Sequence, residues 1–252
     1  MRPLFCHGLN ASQRLPILAK RALAGSLLST PWTTLRRKSS VATLIYPDPP
    51  STNHHDLPSF LEYAERSGLD RKSTLYVGTH YEYTIAQVLT KYGFYLQRIG
   101  GHSDYGTDLL GTWTVPSSKE PLRILVQCKA IARKSAPNLI RELEGAFVGA
   151  PVGWRGQGVL GLFVTEKPST KGVRDSLGRS QLPMLFMSCT RDGRVQQLLW
   201  NQRAEEEGLE GLGVGTRYAG GDGEQQLLLK WKDRPIALKG PRKPKSSTVS
   251  GH

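Results

Sequence analysis

The sequence predicts an α/β fold, a mixed β-sheet flanked by helices, with unpacked tails at both ends. Three observations point there. Residues 94–129 hold β-rich runs separated by short breaks, at Gly111 and at the Pro-Ser-Ser-Lys of 116–119, the mark of neighbouring antiparallel strands. After residue 135 the pattern turns to helix, strand, helix, strand. The strands at 158–165 and 182–189 are apolar almost throughout, as expected of strands covered on both faces. Finally, the charge sits at the ends. Of the net +13, residues 1–47 contribute +7 without an acid and residues 232–252 contribute +5, which leaves +1 for everything between.

That distribution bounds the function classes. A sequence pI of about 9.8 belongs to the tails and does not by itself make the folded part a nucleic-acid binder. With 252 residues there is room for one good-sized core with appendages or for two small domains, and an apolar content of 38% implies that part of the chain is unpacked. Cys6, Cys128 and Cys189 have neither paired spacing nor a histidine cluster nearby, which supports neither a zinc site nor a disulfide framework. No apolar run approaches the roughly 18 to 20 residues of a membrane span.

Residues 1–40 lack acids and are rich in Arg, Ser, Thr, Ala and Leu. Within them, 14–23 can form an amphipathic helix with Leu15, Leu18, Ala19, Ala22 and Leu23 on one face and Arg14 and Arg21 on its flank. This is the composition of a mitochondrial targeting peptide, set against the plainer reading of a basic terminus without an address. The Pro-rich stretch within 41–54 reads as a linker.

His54-His55-Asp56 opens a helix whose Leu61, Ala64 and Leu69 fit a buried stripe; the paired histidines read as a solvated helix start. A second helix is expected to start near Thr79, with Tyr81, Ile85, Val88 and Tyr92 at helical spacing and Gly93 ending it. There Thr79-His80-Tyr81-Glu82 matches a capping box, so Glu82 reads locally as a cap. Residues 94–100 form the first strand. A helix after residue 135 turns Leu139, Leu143 and Phe147 inward and Arg141 outward. Glu142 and Glu144 stand about 200° apart on it, so both cannot serve one site. After residue 190 the pattern weakens: 195–200 and 224–231 read as edge strands around the Gly-rich 208–223, and the tail from 232 reads as disordered.

The chemistry concentrates between residues 101 and 144, where an aspartate on one strand faces a Gln-x-Lys pair on the next. Side chains alternate along a strand, so Gln127 and Lys129 share one face while Cys128 joins Ile124 and Val126 on the other. Hydrolysis of a phosphodiester needs an activated water and neutralisation of developing charge, both of which a partly hydrated divalent cation supplies. Asp108 would be its carboxylate ligand, Gln127 would add an amide oxygen and Cys128 its backbone carbonyl. Lys129 would set a point charge beside the phosphate, and Glu82 would hold a second ion or a bound water. Asp-to-Gln-x-Lys alone is common by chance, and the order of elements around it gives it weight.

That order, helix with Glu82, strand, Gly-rich turn, strand with Asp108, strand with Gln127 and Lys129, then helix, resembles the restriction-endonuclease-like PD-(D/E)XK superfamily and in particular its Mrr-like members. The resemblance rests on Tyr81-Glu82, Gly106-Thr107-Asp108-Leu109-Leu110-Gly111 and Val126-Gln127-Cys128-Lys129, and it covers about residues 70–190. With the targeting-like start, and with Gly78-Thr79-His80-Tyr81-Glu82-Tyr83 and Arg141-Glu142-Leu143-Glu144-Gly145, the chain is also similar to the fungal family named required for respiratory growth protein 7. The resemblance implies a restriction-endonuclease-like domain at 55–190, an extension at 191–231 and a basic tail at 232–252. It further implies catalytic Asp108, Gln127, Lys129 and Glu82, Mg2+ or Mn2+ held by Asp108, Gln127, Cys128 and Glu82, and a protein of the mitochondrial matrix acting on nucleic acid, mitochondrial DNA first. Gln127 in place of an acid leaves fewer negative ligands. Alternative readings are an inactive nucleic-acid-binding module, with Lys129, Arg133, Lys134 and the tail on phosphates, and a respiratory assembly or scaffold factor. Nothing in the sequence speaks to oligomeric state.

Overall fold

The structure is a computed structural model that describes residues 44–100, 106–131, 135–219 and 224–236. The basic segment 1–40, Arg133, Lys134 and the tail after 236 lie outside the described residues.

Four helices and nine strands carry the described chain: α1 (Leu57–Arg66), α2 (Thr74–Thr90), β1 (Phe94–Arg98), β2 (Leu109–Trp113), β3 (Leu122–Lys129), α3 (Asn138–Gly149), β4 (Val159–Thr165), α4 (Lys171–Arg179), β5 (Met184–Cys189), β6 (Val195–Trp200), β7 (Leu212–Ala219), β8 (Glu224–Trp231) and β9 (Arg234–Pro235). A short helical turn at Gln202–Ala204 runs into a π turn at Glu205–Leu209. The first six strands form one sheet in sequence order. β1, β2 and β3 are antiparallel, β3, β4 and β5 parallel, and β6 returns antiparallel to β5. The expected mixed sheet is therefore present, and Val195–Trp200 completes it as an edge strand.

Parallel neighbours need a crossover, and α3 and α4 supply the two. Both cover the same face, where Leu139, Ile140, Leu143 and Phe147 pack with Leu125, Phe163, Phe186 and Trp154. The seat of α3 is specific: a Cβ on Gly161 would stand 2.2 Å from the Phe147 ring, so that glycine lets the helix approach β4. The other face packs against α2 through Tyr81, Ile85 and Leu89, with Leu212, Leu227 and Leu229 of the second sheet completing the cluster. Each such side chain taken from water contributes about 1.5 to 3 kcal/mol. β4 and β5 are buried at every position.

Several local expectations change. Gly111 does not break a run but sits inside β2, because a Cβ there would lie 1.8 Å from the Tyr95 carbonyl oxygen of β1. Helix α2 starts at Thr74, five residues earlier than expected, because Ser73 caps the Tyr76 amide at 3.1 Å. Glu82 is thus in mid-helix and is not a cap. In α1 the Asp56 and Ser59 capping box is formed, and Phe60 rather than the 40%-exposed Leu61 joins Ala64 in the buried stripe. His54 is buried among Phe60, Tyr63 and Tyr83, with Nδ1 2.8 Å from the Tyr83 hydroxyl, so it is not solvated. The Gly-rich 208–223 contains β7, and 224–231 is the middle strand of a second sheet ordered β7, β8, β9. No helix among the described residues is long and apolar enough to cross a membrane.

Candidate active site

The predicted site residues gather where β2 starts and β3 outlasts it. The ladder between them closes at Leu109 with Val126, while β3 continues to Lys129 alongside β4. At this opening Asp108 is fixed by its neighbours. Its amide donates to the Val126 carbonyl at 2.9 Å, and its own carbonyl accepts from both Ile99 and Gly100 at 2.9 Å. Its carboxylate Oδ2 accepts the Cys128 amide at 2.6 Å, a charge-assisted contact that prolongs the ladder with a side chain. A Cβ on Gly100 would come within 3.2 Å of Oδ1, so glycine keeps that side of the carboxylate clear. Asp108 therefore lies in line with the sheet, between the end of β1 and β3, rather than on either face.

The alternation along β3 holds. Ile124, Val126 and Cys128 face α2, and Leu125, Gln127 and Lys129 face α3. Gln127 is 8% exposed, and its Oε1 is buried without a hydrogen-bond partner. Its Nε2 lies over Gly106, whose positive φ of 80° carries the chain past it, next to Ala146 of α3. A buried acceptor without a partner costs about 1 to 3 kcal/mol, a cost that a water or a ligand at this oxygen would offset. Lys129 Nζ pairs with Glu142 Oε2 on α3, and Asn138 Nδ2 donates to Glu142 Oε1 at 2.9 Å.

Glu82 reaches the same region from the opposite face. It pairs with Arg98 of β1 at 2.5 Å, both side chains being largely buried, and Arg98 also lies 5.7 Å from the Tyr83 ring centre. On that same α2 face, the Cys128 thiol is pushed up well above the ordinary thiol range, first by burial and then by the carboxylates of Asp108 and Glu82. It is a neutral packing group rather than a thiolate nucleophile. Asp108, Gln127 and Lys129 thus converge along the end of β3, and Glu82 stands behind them across the sheet.

The sequence shows that Glu142 and Glu144 cannot both serve one site and leaves open which of them could. The helix resolves that choice: Glu144 turns to Ser180, whose hydroxyl donates to it at 2.6 Å, and Glu142 turns to Lys129. Its position one residue before the buried Leu143 hinted at an inward flank, but nothing local shows which strand residue it meets. Arg98 was missed for the same reason.

The donor set available to a divalent cation is one carboxylate from Asp108, the orphaned Oε1 of Gln127 and the main-chain carbonyl of Cys128. In an extended strand that carbonyl points to the same edge as its amide, toward Asp108. All three are hard oxygens, which suits Mg2+ or Mn2+, and the unpartnered Gln127 oxygen fits the group. No cluster of three or more His, Cys, Asp or Glu side chains able to hold a metal exists among the described residues.

Fold and site together define a mixed α/β protein with a polar Asp, Gln-x-Lys cluster where its antiparallel and parallel halves meet. A family model described as "Required for respiratory growth protein 7" matches residues 73–120 and 115–218, and the chain belongs to this family. An uncharacterised mitochondrial protein of Schizosaccharomyces pombe is 30% identical over 158 residues, covering 61% of this chain and 62% of that protein, which is less than two thirds of its length. "Required for respiratory growth protein 7, mitochondrial" of Saccharomyces cerevisiae is 23% identical over 176 residues, covering 52% of this chain and 71% of that one. Among solved structures, the MspJI restriction endonuclease in complex with an oligonucleotide is similar at a TM-score of 0.29 and 16% identity, over 52% of this chain and 28% of that one.

Proposed function

We propose that this chain is a metal-dependent nuclease of the mitochondrial matrix that acts on nucleic acid, mitochondrial DNA first, in upkeep or expression of the organellar genome. One observation carries the reading: Asp108, Gln127 and Lys129 are drawn to one strand end, with the Gln127 oxygen buried and unpartnered. The relatives' names, mitochondrial and required for respiratory growth, support the organelle, and the acid-free basic start supports import.

In this reading Asp108 is preorganised, since the Cys128 amide holds its carboxylate before any ligand arrives. A divalent cation bound there would supply Lewis acidity and a water of lowered pKa. Gln127 orients through its amide oxygen. Lys129 sets a positive charge at the rim, about a third exposed, where a phosphate oxygen can reach it. Purified full-length protein with Mg2+ or Mn2+ is expected to cleave supercoiled plasmid or branched duplex, and Asp108→Ala and Lys129→Ala to lose that cleavage. Equal background from wild type and both variants would sink the enzyme reading.

A second reading, an inactive nucleic-acid-binding module, is favoured by the ion pair that occupies Lys129 and by the neutral Gln127. Its signature is duplex binding without cleavage that weakens steeply with salt. Binding that ignores salt excludes it.

A further inference from the structure

We infer that Glu142 is the second acid of this site, the one that takes the place left by Gln127. The inference rests on the metal-dependent reading and deepens it.

The first consideration is charge. At the end of β3 the predicted residues are Asp108, neutral Gln127 and Lys129, and the charges of Asp108 and Lys129 cancel. Among these three a divalent cation finds one carboxylate, the low end of the one or two on which Mg2+ and Mn2+ sites are built with retained waters. A second acid would complete the pair, and among the described residues two stand nearby, Glu82 and Glu142.

Glu82 is the less suited. Its carboxylate is engaged by Arg98 at 2.5 Å, with the two side chains only 13% and 11% exposed, and it stands across the sheet from Gln127 and Lys129. Drawing it to a cation would strand a buried guanidinium, a loss on the scale of a broken buried ion pair. Glu142 differs on each count. It projects from α3 onto the face that carries Gln127 and Lys129, its side chain is 37% exposed, and its partner Lys129 is 34% exposed. Water can satisfy that lysine once the carboxylate leaves, because exposed pairs hold weakly. Asn138, one turn earlier on the same helix, steers the carboxylate through Oε1.

An independent feature points to a ligand at the same place. Gln127 is more than nine-tenths buried, shares the surroundings of Gly106 with Ala146, one turn beyond Glu142 on α3, and has an Oε1 without a partner. The ion pair seen here is thus the resting state: Glu142 screens Lys129 until a cation claims the carboxylate and frees the ammonium for phosphate. One side chain links cation binding to phosphate binding.

The test is Mn2+ binding by the full-length protein, read from the electron paramagnetic resonance signal of free Mn2+, without nucleic acid. Glu142→Gln is expected to weaken Mn2+ binding by about tenfold or more, the scale seen when a metal site loses a supporting carboxylate. Glu142→Asp should recover part of the loss. Glu144→Gln, on the side of α3 that faces Ser180, should leave binding unchanged. If Asp108→Asn abolishes binding while Glu142→Gln binds like wild type, Glu142 is excluded and the Asp108 reading stands. If wild type does not bind Mn2+, both fall.

Discussion

Gly111 tests the geometry that places Asp108, because it sits in β2 three residues beyond that aspartate and lets β1 close onto the strand. In Gly111→Ala the new Cβ would stand 1.8 Å from the Tyr95 oxygen, 2.8 Å from its carbonyl carbon and 2.9 Å from Leu96 Cα. Non-bonded contacts relax only near about 3.5 Å, so β1 would have to retreat by well over about 1 Å. All three atoms are backbone, and no rotamer change relieves them. The cost belongs at the upper end of overpacking, about 3 kcal/mol. For a domain of this size each kcal/mol shifts Tm by about 2 to 4 °C, which gives a fall of about 6 to 12 °C. The matched control is Gly145→Ala in α3, where the new Cβ meets nothing within 4 Å. Helix propensity alone should raise stability there by about 0.5 to 1 kcal/mol. Thermal melts followed by circular dichroism at matched concentration decide it. A Gly111→Ala melt within about 2 °C of wild type would refute the close approach of β1, and with it the placement of Asp108 between Gly100 and Cys128.

Three further outcomes are expected. Thr165 lies beside Lys129 in register and has a fully buried hydroxyl without a partner, so Thr165→Val should be neutral or stabilising in urea unfolding; a loss above about 1 kcal/mol would indicate a bound water or ligand there. Phe147→Ala should cost about 3 to 5 kcal/mol by emptying the seat over Gly161, and a smaller loss would mean that α3 does not rest on β4 through that ring. The Cys128 thiol is raised by burial, and the Cys189 thiol is pushed up to about 12 by the same cause. The unfolded chain therefore loses these protons first, so their stabilising contribution is complete below about pH 9 and declines toward pH 12. Urea midpoints at pH 8 and 10.5 should fall more steeply in wild type than in a Cys128→Ala, Cys189→Ala protein; parallel slopes would contradict the buried thiols.

The sheet was legible from the chain because its signals are local. Apolar runs mark β4 and β5, alternation marks β3, and helical spacing marks α3, each set by residues within a few positions. The trio Asp108, Gln127 and Lys129 was legible for the same reason, since adjacent antiparallel strands bring it together. β7 escaped notice because its glycines and polar residues imitate a loop, and only pairing with β8 and cover from the main core make it a strand. Gly111 read as a break for a similar reason: the close approach of Tyr95 that requires it lies on another strand.

By itself the sequence determined the class of fold, the charge carried at the two ends and the trio of Asp108, just before β2, with Gln127 and Lys129 at the end of β3. Only the tertiary structure decided which acids attend them. Glu82 reads locally as a cap, yet Ser73 starts α2 early enough to put it opposite Arg98. Glu142 and Glu144 are indistinguishable by composition, and their roles separate only when Phe147 seats α3 on Gly161 and so sets which way the helix is turned above β3. Side-chain identity is written along the chain, whereas the rotation of a helix over a sheet is settled by packing between residues far apart in it.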